Sequence, residues 1–252
     1  MKDDSIINRL ADPDPEVRRS AFDELAYEIS DEHVQAILTL VESDAGEEIR
    51  GDAVIALGPV VEECGDEYFD GAESDLGPDF GVDLGPPLSR DGYSELVKRV
   101  RAIYENSSQP KLVRRRAFET LVRDPAEWHR EEIRKHFDGS DPDWKLTAVF
   151  AMGNVPGYDE ELAHVVREAE GELLAEAIRS AGEMEVEVGD RVRELAASPA
   201  TDRDVRLEAI RALPHVDPDS YDLLEKLSDS DDEEIAAVAE EAMDELGLYG
   251  GE

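Results

Sequence analysis

The chain has 252 residues, 40% of them hydrophobic, and sets 64 acidic side chains against 26 basic ones for a net charge of −38. That length can bury a core, and the apolar residues recur too regularly for an acidic disordered chain. The single cysteine, Cys64, excludes an intrachain disulfide, no apolar run approaches membrane-spanning length, and the opening Met-Lys-Asp-Asp-Ser has no secretory pattern; a reducing, cytoplasmic setting away from membranes is expected.

Taken in order, residues 4–11 and 14–28 read as a first helix pair. Asp14 is placed to cap the second helix, Pro15 suits its first position, and Glu16 favours the positive end of its dipole. Residues 31–43 and 46–61 form a second pair. The periodicity then stops: residues 62–92 hold six Gly, three Pro, ten acidic residues and one Arg. Gly77-Pro78 and Gly85-Pro86-Pro87 are breaker signals, and a loop this long is expected to be a folded-back flap or a partner-binding loop, with Tyr68, Phe69 and Phe80 as its anchors. Helix pairs resume at 93–106 with 109–123, 126–138 with 142–153, and 159–169 with 172–183. Two more follow, 188–198 with 202–213 and 219–228 with 232–246. Asp229, Asp231, Asp232, Glu233 and Glu234 give the last turn the polarity of an end cap.

One pattern ties these pairs together. Val17, Ala21 and Leu25 recur every four residues and share a helix face. The same triple returns as Ile49/Ala53/Leu57, Val113/Ala117/Leu121, Trp144/Ala148/Met152, Leu173/Ala177/Ala181, Val205/Ala209/Leu213 and Ile235/Ala239/Met243. First members are spaced by 32, 64, 31, 29, 32 and 30 residues, the 64 being two periods with the insertion in place of one repeat. Alanine is central in every copy, and a small side chain there lets a neighbouring helix come close. A period near 30 with one such helix per period signals stacked helix pairs.

Asp-Pro-Asp-Pro-Glu-Val-Arg at Asp12 to Arg18 resembles the HEAT-repeat signature, in the bacterial and archaeal HEAT-like form also found in phycobilin lyases. The resemblance implies an all-α fold, a right-handed α-solenoid of about seven stacked helical hairpins in one domain over residues 1–252, with the Gly/Pro/Asp-rich insertion at 62–92. It also implies a polar ladder between repeats, an Asp in each turn and a basic residue six positions later. Asp12/Arg18 and Asp44/Arg50 match that spacing, Arg114, Lys145 and Arg206 keep the basic half, and Leu174 and Ala236 stand where it is lost.

The acidic residues are spread along the chain, and of the basic residues 20 are Arg and only 6 Lys. Such a surface reads as adaptation to a high-salt cytoplasm, where dense carboxylates keep the protein hydrated and salt screens their repulsion; a basic partner is the other explanation. Residues 98–145 break the trend with 12 basic and 9 acidic residues. Arg114, Arg115 and Arg116 point about 100° apart on a helix. Arg114 falls on the ladder, leaving Arg115 and Arg116 for solvent, for neighbouring carboxylates or for an anionic ligand.

His129, Glu132 and His136 share a helix face, but three ligands from one straight helix rarely converge on one ion, so no metal and no cofactor are expected. Deoxyhypusine hydroxylase, in the HEAT-like group, holds di-iron through His-Glu dipeptides; this chain has none. Trp128, Glu132 and Trp144 beside the basic segment resemble parts of HEAT-like alkylpurine DNA glycosylases, yet an excess of 38 carboxylates opposes binding to phosphates. No bilin site is legible, and Cys64 reads as an inert thiol. The chain is therefore expected to be a non-enzymatic interaction scaffold or adaptor for another protein, the alternative being a lyase- or glycosylase-like HEAT enzyme or accessory subunit. Positions two and six after each first triple member lie off the buried face. Leu146, Phe150 and Leu207 are the expected apolar anchors there, beside Arg115 and Arg211, with Arg116 adjoining.

Overall fold

A computed structural model of the chain describes residues 3–25, 29–65 and 88–249. Contacts divide the chain into two compact units, Met1–Ala126 and Glu127–Glu252. In the first, α1 (Asp3–Leu10) pairs with α2 (Pro15–Leu25), α3 (Asp31–Val41) with α4 (Glu47–Ile55), and α6 (Arg90–Glu105) with α7 (Lys111–Leu121); a short α5 (Gly58–Glu63) follows α4. The second members adjoin in order, α2 on α4 and α4 on α7. In the second unit the pairs are α8 (Glu127–Phe137) with α9 (Pro142–Met152), α10 (Asp159–Glu168) with α11 (Gly171–Glu183), α12 (Gly189–Ala197) with α13 (Arg203–Val216), and α14 (Tyr221–Ser228) with α15 (Glu233–Tyr249). There too α9, α11, α13 and α15 pack in sequence. No strand occurs among the described residues.

The helices begin where short acceptors are available. Asp14, Asp141, Asp202 and Asp232 accept from backbone N–H groups two residues on, at 3.0–3.1 Å, opening α2, α9, α13 and α15. Among the described residues, four of the seven second helices thus start on the same aspartate cap, which fixes the phase of the apolar face that follows.

That phase puts the central alanines inside. Ala21, Ala53, Ala117, Ala148, Ala177, Ala209 and Ala239 are each 0% exposed. Copy five carries a local shift: Leu173 is only half-buried, and Leu174, at the position where other repeats carry a cation, is buried in its place. A second row of small residues lies seven positions after the first triple member. Thr120 Oγ1 donates to the Val54 carbonyl of the preceding second helix at 2.8 Å, and Ser180 Oγ to the equivalent Val149 carbonyl at 3.1 Å. Ala212 takes the same place against Gly182, where an added Cβ would lie 3.3 Å from the Ala212 Cβ. These contacts set how closely second helices approach. Replacing Thr120 by valine keeps the shape and removes the donor; we expect a loss of about 1 kcal/mol of unfolding free energy, read as a lower denaturant midpoint with an unchanged slope.

Several boundaries differ from expectation. The helix expected over 46–61 breaks after Ile55 because Pro59 has no N–H for the Ile55 carbonyl. The Arg123 side chain crosses the break, with Nε 2.7 Å and Cδ 2.8 Å from where a Gly58 Cβ would stand, and reaches Glu62 at 2.8 Å. The helix expected from 93 starts at Arg90, since Ser89 accepts from the Gly92 N–H at 3.2 Å, and Leu88 just before it is buried. The helix expected to end at 213 runs through Pro214 to Val216. Of the insertion, residues 66–87 lie outside the described residues, and Tyr68, Phe69 and Phe80 with them. Among the described residues no helix is long and apolar enough to cross a membrane.

Candidate functional site

The cations next to the triple serve the helices themselves. Arg50 Nε donates to the Val41 carbonyl at 2.6 Å, Arg114 Nε to Tyr104 at 2.8 Å, and Arg206 Nε to Ala196 at 2.9 Å. Each carbonyl belongs to the last turn of the first helix of the same pair, where acceptors are left over and the dipole is negative. Lys145 sits over the ring of Phe137, the last residue of α8, at 4.7 Å. Arg18, 3% exposed, donates from Nη1 to the Asp12 and Pro13 carbonyls and from Nε and Nη2 to Asp52 Oδ2 at 2.9 and 2.7 Å. The Asp12 carboxylate instead accepts from the Asp14 N–H at 2.9 Å. Arg50 also donates to the Gln109 side chain. Asp44 is exposed.

Within the basic segment, Arg99 forks onto Glu42 at 2.8–2.9 Å, Arg116 pairs with the buried Glu119 at 2.7 Å, and Lys135 with Glu132 at 2.7 Å. Arg115 is half-buried and engaged. Five residues raised as candidates lie in or beside α8. His136 stacks on Trp144 with ring centroids 4.0 Å apart and planes at 8°, Glu132 lies 3.6 Å from the His136 Nε2, and His129 lies against Trp128 at 4.0 Å. Among the described residues no group of three His, Cys, Asp or Glu side chains could hold a metal ion. Cys64 is fully buried, and burial pushes its thiol pKa up, so the thiolate is disfavoured.

The face expected to meet a partner behaves differently along the chain. In the first unit Gly51 is covered by Leu112 and Arg116 of α7, and Glu119 is buried. In the second unit the same positions open onto a groove of about 380 Å³ across α11, α13 and α15. Ala175 and Leu207 line its floor, and Arg179 and Arg211 stand beyond them. Leu207 is only 5% exposed, so it supplies a floor rather than the projecting anchor expected of it. Leu146 and Phe150 are half-buried, the Phe150 ring lying 5.5 Å from the Arg179 guanidinium carbon.

Five carboxylates line the same groove: Glu172, Glu176, Asp204, Glu208 and Glu234. Glu176 pairs with Arg179, Glu208 with Arg211 at 2.5 Å, and Glu234 with Arg203. Burial works against the Arg179 charge, but Glu176, Glu183 and Glu208 together outweigh it and raise its pKa above the usual arginine value. Sequence reasoning passed over four of these acids and read Glu234 only as part of an end cap. The signal was present: Glu172, Asp204 and Glu234 each immediately precede a first triple member, and Glu176 and Glu208 each follow one by three.

The fold is that of an all-helical repeat protein built of stacked HEAT-like hairpins. No protein-family model matches the chain, and no curated protein matches it in sequence. Among solved structures, that of YibA from Escherichia coli aligns with a TM-score of 0.50 at 12% identity, covering 98% of this chain and 93% of that one. Human deoxyhypusine hydroxylase, in complex with glycerol, aligns with a TM-score of 0.40 at 14% identity, covering 98% of this chain and 96% of that one, and an engineered protein with a TM-score of 0.40 at 19% identity, covering 98% and 97%. The similarity to YibA is one of fold.

Proposed function

We propose that the chain is a non-enzymatic scaffold or adaptor that holds a protein partner on the exposed faces of its second helices. The observation that carries this reading is the groove across α11, α13 and α15, because consecutive repeats contribute equivalent residues to it. Ala175 and Leu207 repeat as floor, and Arg179 and Arg211 repeat as a row of donors, each with a carboxylate three residues before it. A periodic surface of small, apolar and paired charged groups suits an extended polypeptide, whose own groups repeat at regular intervals. The Arg–Glu pairs hold the guanidiniums in place before a partner arrives, which lowers the ordering cost of binding.

The test is affinity capture from the native lysate at high salt, comparing the wild-type chain with Ala175→Arg. Ala175 is half-exposed, so the substitution fills the groove without emptying the core. A stoichiometric polypeptide retained by the wild type and lost from Ala175→Arg is the expected result. Recovery of a bilin, a nucleic acid or a metal in place of a polypeptide would overturn it.

A further inference from the structure

The first helix of the second unit carries a charge pattern that complements itself. On α8, Glu127, Arg130, Glu131 and Arg134 fall at i, i+3, i+4 and i+7, so they form one stripe along the helix. His129, Ile133 and His136 are buried on the opposite side, His136 against Trp144 of α9. Glu127, Glu131 and Arg134 are exposed, and Arg130 is half-buried. Together with the half-buried Trp128, the stripe lines an open concavity of about 750 Å³.

Elsewhere on this chain a glutamate three residues before an arginine closes an ion pair. Glu16 pairs with Arg19 at 3.0 Å, Glu176 with Arg179, and Glu208 with Arg211 at 2.5 Å. Glu127 and Arg130 have the same spacing, as do Glu131 and Arg134, yet neither pair closes among the described residues. The middle of the stripe is held by the turn after α9. The buried Tyr158 hydroxyl donates to the Arg130 carbonyl at 3.1 Å, and Arg130 Nη1 lies 3.3 Å from where a Gly157 Cβ would stand.

The order of the four charges is the decisive feature. Read backwards, Glu-Arg-Glu-Arg becomes Arg-Glu-Arg-Glu, so every position meets its opposite sign. A second copy laid antiparallel on this face, with the two-fold axis between Arg130 and Glu131, sets Glu127 opposite the partner's Arg134 and Arg130 opposite the partner's Glu131. Symmetry repeats both pairs. The stripe has two acids and two bases, whereas the whole chain carries −38. Two such chains repel across most of their surfaces, so copies meet most readily where the charges balance.

We propose that α8 is a self-association surface: two copies of the chain meet antiparallel through this stripe, with four ion pairs between them and the Trp128 rings giving the contact its apolar part. The surface belongs to a first helix and does not depend on the groove of the second helices. A contact centred on one eleven-residue helix is small for a specific interface, so micromolar association is expected.

Sedimentation velocity of the full chain over about 5–500 µM, in salt where circular dichroism shows it folded, reads the monomer–dimer equilibrium. The wild type should pass from monomer to dimer across this range. Arg134→Glu and Glu127→Arg, both at exposed positions, should each weaken self-association by about tenfold or more. An equimolar mixture of the two should restore the dimer, because the two reversed charges then face each other. A mixture of Arg134→Glu with Glu131→Arg should not, because it leaves like charges opposed. Asp222→Arg on exposed α14 changes the net charge as Glu127→Arg does and should leave self-association within about twofold. A wild type that stays monomeric throughout, a dimer indifferent to both reversals, or equal restoration by the two mixtures would overturn the proposal.

Discussion

Lowering KCl from about 2 M to about 0.1 M is expected to reduce the melting temperature by on the order of 10 °C or more. The chain has 64 acidic residues and 26 basic ones, so even with every cation paired 38 carboxylates keep no basic counterpart. Their mutual repulsion acts over about 10 Å at 0.1 M salt and about 3 Å at 1 M. The folded state brings them closer together than the unfolded chain does, so screening favours folding. For a chain of this size a melting shift of about 2–4 °C accompanies each kcal/mol, and a deficit of several kcal/mol gives the stated change. Thermal unfolding followed by circular dichroism across a salt series checks it, with sucrose as a non-ionic control. A melting temperature independent of salt would remove the high-salt reading of the acidity and leave a basic partner as its explanation.

Phe118→Ala is expected to cost about 3–5 kcal/mol, whereas Phe150→Ala should cost about 1 kcal/mol or less. Phe118 is 0% exposed on α7, with its ring 5.0 Å from that of Tyr104 on α6. Removing it opens a cavity that the surrounding alanine-rich helices cannot fill, because they already pack closely. Phe150 is half-buried, and Arg179 covers its ring at 5.5 Å, an arrangement that loses little when truncated. Denaturant unfolding of both variants at high salt measures the contrast. Equal costs would show that Phe150 is core and not an exposed anchor of the second-helix face.

Much of the fold was legible because helix packing leaves a periodic trace. The seven alanines identified by spacing all reach zero exposure, and the aspartate cap read at Asp14 recurs at Asp141, Asp202 and Asp232. The break at Pro59 was legible in principle, since proline's missing N–H is a local property. Copy five shows the limit of a strict spacing: Leu174 replaced a cation and took the burial that Leu173 gave up, a shift of one residue that a periodic template tolerates but cannot locate.

The candidate site was only half legible. The stripe containing Ala175, Arg179, Leu207 and Arg211 followed from helix geometry, but its carboxylates did not, because in a chain this acidic no single Glu or Asp stands out. The basic strip drew attention by composition, and its members engage nearby carboxylates and carbonyls instead, as Arg116 does with Glu119 and Arg114 with Tyr104.

By itself the order of residues determined which positions are buried, where most helices begin and that they come in pairs, since burial of one helix face depends on a short, repeating local pattern. Only the tertiary structure decided which charges meet. Arg18 finds Asp52 34 residues away, Gly51 disappears beneath Leu112 while Ala175 stays open, and two rows of acids line one groove. The physical reason is reach: long polar side chains choose partners across several ångströms of neighbouring helix, and that choice depends on the spacing and rotation of helices, which no local pattern encodes.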